Sequence, residues 1–120
     1  MNLVLVFLGG GLGAVARYGL NSVLTQWLGG RFPLGILACN VLGCFLIGLA
    51  AGFAQKTAPG WLGPFVIVGF LGGFTTFSTF SSDNLALLRE GSPGLACLNI
   101  MASLALGLLA VAWGWRLTTS

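Results

Sequence analysis

Charge is what this sequence has least of: two acidic and five basic side chains in 120 residues, and no histidine. A soluble domain keeps about a quarter of its residues charged to hold a wetted surface, so a chain with 6% charged and 57% hydrophobic residues excludes an ordinary water-soluble globule. Without histidine, and with Cys39, Cys44 and Cys97 in no C-x-x-C spacing, neither a zinc site nor a disulfide framework is supported. The cysteines read as small apolar packing residues. The basic residues stand singly, which excludes a nucleic-acid patch and a polybasic lipid-binding run. Asp83 and Glu90 are the only carboxylates, both toward the end of the third apolar run. Proton-coupled antiport generally relies on a carboxylate at membrane depth, so that class has little to work with.

What remains is hydrocarbon and glycine. A bilayer crossing takes about 20 apolar residues, and the sequence divides into four such spans, at roughly 3–28, 33–54, 62–88 and 95–116. "QKTAPGW" links the second to the third, and "REGSPG" the third to the fourth. The sequence thus predicts an all-α membrane protein with a single four-span domain over 1–120. The first sixteen residues, ending in "AVA", imitate a signal peptide, yet no basic residue precedes the apolar run and further spans follow, so a retained first span is expected.

Four spans put both termini on one side. Lys56 and Arg116 then fall on the terminal side, and Arg31 and Arg89 on the other. Loop lysine and arginine set orientation, and a balance of two against two gives almost no instruction. Such a chain can insert either way, and oppositely oriented copies can pair about an axis in the membrane plane. The other reading is that one orientation wins for reasons outside the sequence. Gly9 with Gly13, Gly48 with Gly52, Gly69 with Gly73, and Ser103 with Gly107 form small-x-x-x-small registers, which allow close backbone approach in lipid. Each register suits packing within one chain or a seam between two copies. Four helices enclose no wide aqueous pore, so a transport path needs more than one copy.

Against this background "GGFTTFSTFSSD", Gly72 to Asp83, stands out. Thr75, Thr76, Ser78, Thr79, Ser81 and Ser82 occupy all sides of a helix, so some must face a polar surface rather than bond back to the preceding turn. Gly72-Gly73 supplies a place for the helix to break, and broken backbone at membrane depth persists only where its freed carbonyls meet protein, water or an ion. Phe77 and Phe80 share a helix face. Phenylalanine in a membrane ordinarily packs; here, between hydroxyls, the positive ring edges can approach an anion. Asn40, an amide inside the second span, needs a partner and is either an ion ligand or one end of an interhelical hydrogen bond. Moving a small ion into a low-dielectric site costs on the order of 20 kcal/mol in the idealised limit, so such donors have to replace its water.

"GFLGGFTTFSTFS" (Gly69 to Ser81), with "GGGLGAVARY" (Gly9 to Tyr18) and "NVLG" (Asn40 to Gly43), resembles the Fluc (CrcB) family of fluoride channels over all four spans. The resemblance implies a dual-topology, antiparallel homodimer with two pores in the plasma membrane, passive export of fluoride, and no enzymatic activity. It implies that Phe77, Phe80, Ser78 and Thr79 line the fluoride path, that Asn40 donates to the ion, and that Ser103 belongs to a polar track beside it. It further implies a central structural sodium ion held by backbone carbonyls of Gly72 and Thr75 from both subunits, and Arg17 near a water-filled vestibule where it attracts anions. The chain departs from the family pattern at Ile36 (commonly threonine), Asp83 (frequently glutamate), Asn99 (often tyrosine) and Gly107 (where a second serine can occur). Two other readings compete with it: a small dual-topology proton-coupled multidrug antiporter using Asp83, and a scaffold subunit of a membrane complex.

Overall fold

The computed structural model describes residues 2–120, and every regular element among them is helical. Helix α1 (Asn2–Leu28) is followed by α2 (Leu34–Lys56). A π-helical stretch (Leu62–Leu71) runs directly into the single turn α3 (Gly72–Phe74). Then come α4 (Phe77–Arg89) and α5 (Pro93–Thr119). The π stretch, α3 and α4 form one interrupted span, Leu62–Arg89, and all four spans are long and apolar enough to cross a membrane. At 1.5 Å per residue the 27 residues of α1 reach about 40 Å, more than the hydrocarbon core of about 30 Å. The fourth span, Pro93–Thr119, extends slightly beyond both ends of the apolar run that marks it in the sequence.

The turns explain where the helices stop. Gly29 and Gly30 both have positive φ, 59° and 82°, and the Gly29 N–H bonds to the Thr25 carbonyl at 3.0 Å, closing α1 with residues that bear no Cβ penalty there. At the end of α4, Ser92 N–H reaches the Leu87 carbonyl (2.8 Å) and Gly91 N–H the Leu88 carbonyl (3.1 Å), with φ 79° at Gly91: a Schellman ending. Pro93 follows at the start of α5, where its missing N–H costs nothing.

The interior is built from small residues, and most large side chains point outward, Phe7, Val15 and Leu108 among them. Lipid is as apolar as leucine, so burying leucine gains little in a bilayer and close backbone packing drives association instead. A Cβ on Gly9 would overlap the Phe65 carbonyl, and one on Gly13 that of Phe70, so α1 lies backbone to backbone against the interrupted span. A Cβ on Gly48 would overlap the Val111 carbonyl, and one on Gly114 the Phe45 carbonyl, which seats α2 on α5 in the same way. Gly69 and Gly73 face α1, and Gly107 meets Cys44, so each small-residue register is used within the chain. Cys39 is fully buried, Cys44 half-buried and Cys97 exposed on the outer surface.

Two features differ from expectation. The third span opens with ten π-helical residues, Leu62–Leu71, where the sequence reads as an α-helix. Pro64 lacks an N–H for the α ladder, but nothing else in that segment explains the wider winding. And the break is not at Gly72-Gly73, which stay helical, but two residues later at Thr75 (φ −94°, ψ 154°) and Thr76 (φ −153°, ψ 122°). The physical reason is a division of labour. A Cβ at Gly73 would crowd the Gly10 carbonyl and stand 3.2 Å from the Ala14 nitrogen, so that glycine serves close approach. Extended backbone is comfortable for a β-branched threonine and needs no glycine.

Candidate functional site

An extended pair of residues between two helices frees backbone groups that lipid cannot satisfy. The chain answers them one by one. Thr75 N–H bonds to the Leu71 carbonyl (3.0 Å), and the Thr75 hydroxyl donates to the same oxygen (2.9 Å). Asn40, reaching from α2, accepts from Thr76 N–H at 2.9 Å and donates from Nδ2 to the Thr76 carbonyl at 3.2 Å. The Thr76 N–H can only donate, so the amide must present Oδ1 to it, which leaves the second Nδ2 hydrogen uncommitted. The Thr76 hydroxyl then caps α4 by accepting from Thr79 N–H (3.2 Å). On the other side of the gap, Arg17 of α1 donates from Nε to the Gly73 carbonyl at 3.0 Å. Among the described residues no donor reaches the carbonyls of Gly72 or Thr75.

Beside the gap lies a groove of about 350 Å³ whose walls include Asn40, Thr75, Thr76, Phe77, Phe80 and Ser103. Phe77 and Phe80 stand with ring centroids 5.7 Å apart and planes tilted by 42°, so the edge of one ring is available beside the face of the other. Phe77 is 78% exposed in the single chain, the largest apolar group at the groove with nothing over it. Ser103, on α5, gives its hydroxyl to Asn99 Oδ1 at 3.5 Å, and Asn99 Nδ2 in turn donates to Asn84 Oδ1 at 2.8 Å. Both amides are buried. Ile36 is buried, 5% exposed, and lines a different recess.

A second recess, about 250 Å³, opens between the α1–α2 turn and α4, with Asn21, Thr25, Arg31, Thr79 and Asp83 in its walls. Asp83 Oδ2 is buried there without a hydrogen-bond partner among the described residues. Arg31 makes a long, half-exposed pair with Glu90, 3.8 Å from Nε to Oε1.

The structure therefore gathers Asn40, Gly72, Thr75, Thr76, Phe77, Phe80 and Ser103, all singled out in the sequence, along one groove. It does not bring the others there. Thr79 faces the second recess. Ser78 is exposed, with its hydroxyl 3.2 Å from that of Thr76. Arg17 is turned to the Gly73 carbonyl. Asn40, read as an ion ligand or one end of an interhelical bond, makes the interhelical bond. Sequence reasoning passes over Asn84, although it too is an amide within a span and needs a partner just as Asn40 does; it finds one in Asn99.

The chain matches the family described as CrcB-like protein, Camphor Resistance (CrcB), over residues 4–115. It is 48% identical over 116 residues to the "Fluoride-specific ion channel FluC" of Magnetococcus marinus, covering 95% of this chain and 94% of that one. Identity to proteins of the same name is 44% over 117 residues in Solibacter usitatus (95% of both chains) and 40% over 120 residues in Methylobacillus flagellatus (96% and 92%). With the four spans, the interrupted third helix and the hydroxyl-and-phenyl groove beside it, this match over nearly the whole length means that the chain belongs to the CrcB family.

Proposed function

We propose that this protein is a passive, fluoride-selective channel that exports cytoplasmic fluoride across the plasma membrane. The observation that carries the reading is the groove in which Asn40, Thr76, Phe77, Phe80 and Ser103 converge beside a clamped helix break. Its walls offer neutral hydrogen-bond donors and ring edges and no carboxylate. That lining suits a small, strongly hydrated anion, which must exchange water for donors at every step. The relatives' shared name identifies the anion as fluoride. From an acidic medium fluoride enters cells as neutral HF, which dissociates in the less acidic interior; the trapped anion then leaves down its electrochemical gradient, a task that calls for no coupling ion.

The working unit in this reading is a homodimer of oppositely oriented copies with two pores. The near-even split of loop charges permits both orientations, and Phe77, bare in one chain, is where a second copy completes the wall. A structural sodium ion suits the break: among the described residues no donor reaches the carbonyls of Gly72 and Thr75, and uncharged oxygens from two copies can replace the hydration shell of a monovalent cation. Bound there, sodium would hold the two breaks together.

Purified protein in liposomes should release fluoride, read with a fluoride electrode, and retain chloride. Equal rates for the two anions would overturn the selectivity. A single cysteine introduced into one loop should be labelled to the same extent from either side of the membrane, and labelling from one side alone would overturn the antiparallel pair. Flux that requires a proton gradient and disappears in Asp83→Asn would favour the antiporter reading instead.

A further inference from the structure

Ser103 lines the groove, yet its hydrogen is turned away from it. The hydroxyl donates to Asn99 Oδ1, one helical turn earlier on α5, so the group facing the groove is an oxygen with lone pairs. Lone pairs repel an anion. Asn99 cannot drift out of this position, because it is 2% exposed and its Nδ2 is tied to Asn84 Oδ1 at 2.8 Å across to α4. The two bonds differ in strength by geometry: 2.8 Å is a well-formed amide hydrogen bond, whereas 3.5 Å lies at the outer limit. The anchor is firm and the hold on Ser103 is weak.

We infer that Asn99, held by Asn84, is a positioning residue that competes with the permeating anion for the Ser103 proton. With the groove empty, Asn99 Oδ1 takes the hydroxyl hydrogen. When fluoride arrives, the O–H rotates toward it, and the weak bond to Asn99 is given up; when the ion moves on, Asn99 takes the hydrogen back. Each exchange subtracts from the affinity of the groove for the ion. That serves conduction, because a permeation site must bind well enough to admit an ion and loosely enough to let it go. The inference rests on the channel reading above and adds two residues, Asn84 and Asn99, neither of which touches the ion.

The test replaces the two amides together. Asn84→Leu/Asn99→Leu exchanges a buried hydrogen-bonded pair for an apolar pair of similar shape, the kind of swap that leaves stability nearly unchanged. In liposome efflux across a range of fluoride concentrations, the half-saturating concentration should fall about two- to fivefold, the worth of one weak neutral hydrogen bond, while the maximal rate does not rise. Made in a Ser103→Ala background, the same pair should shift nothing, since no proton remains to compete for. A shift of similar size with Ser103 absent, or no shift with Ser103 present, overturns the inference. Should the double variant not fold, Asn99→Gln serves in its place: it keeps the amide but moves its oxygen away from Ser103, and the same dependence on Ser103 is expected. Absence of fluoride efflux from the unsubstituted protein would overturn the channel reading itself, an outcome distinct from either of these.

Discussion

Asn40 and Thr76 exchange two hydrogen bonds, side chain to backbone, across the space between the second span and the interrupted third. The amide does for Thr76 what a neighbouring strand does in a sheet, satisfying both the N–H and the carbonyl of one extended residue. Asn40→Leu removes both bonds at once. Each orphaned backbone group costs about 1–3 kcal/mol, so the variant should melt at lower temperature in detergent and lose fluoride flux. Asn40→Asp keeps the acceptor for Thr76 N–H but loses the donor and adds a charge beside the groove; flux should fall there too. A fully active Asn40→Leu would remove this residue from the site.

The paired rings are expected to act through their edges. Phe80→Ile keeps an apolar side chain in place and removes the edge, so fluoride efflux should drop by about tenfold, the upper range for one aromatic contact, with the elution volume of the assembly unchanged. Unaltered efflux would take that ring out of the path.

Thr76 begins α4 by accepting from Thr79 N–H, and Thr76→Ser retains that oxygen whereas Thr76→Ala does not. The alanine variant should lose about 1 kcal/mol of stability and the serine variant much less, read as thermal midpoints in the same detergent. Equal midpoints would mean that the cap contributes nothing.

The glycines of α1 separate cleanly by environment. Gly9→Ala must push against the Phe65 carbonyl, a backbone atom with nowhere to go, and should destabilise by about 1–3 kcal/mol, in the manner of an overpacked core. Gly11→Ala, two residues away, meets nothing within 4 Å and should be neutral or slightly stabilising, as alanine is in a helix interior. Similar melting of the two variants would argue against backbone contact between α1 and the third span.

The architecture is legible in the sequence because its cause is one-dimensional: apolar runs of spanning length, punctuated by Gly29-Gly30, Pro59-Gly60 and Gly91-Ser92-Pro93, divide the chain at the points where the helices end. The anomaly at Gly72 to Asp83 is legible for the same reason, as hydroxyls crowded into hydrocarbon. The position of the break is not. Two glycines are the obvious weak point, but a glycine answers to two demands, conformational freedom and close approach, and only the neighbouring α1 reveals that Gly73 serves the second. Nor can the sequence tell which partner Asn40 takes, or that Asn84 and Asn99, fifteen residues apart, meet across a helical hairpin. Pairings of that kind depend on the rotation of each helix about its axis, which a chain apolar on all sides leaves nearly unmarked.

The contact between α1 and the third span carries a further consequence. A gap pressed on one flank against bare backbone, with Arg17 fastened to its edge, and clasped on the other by Asn40 has no room to swing. What looks like a hinge in the sequence is a fixed notch.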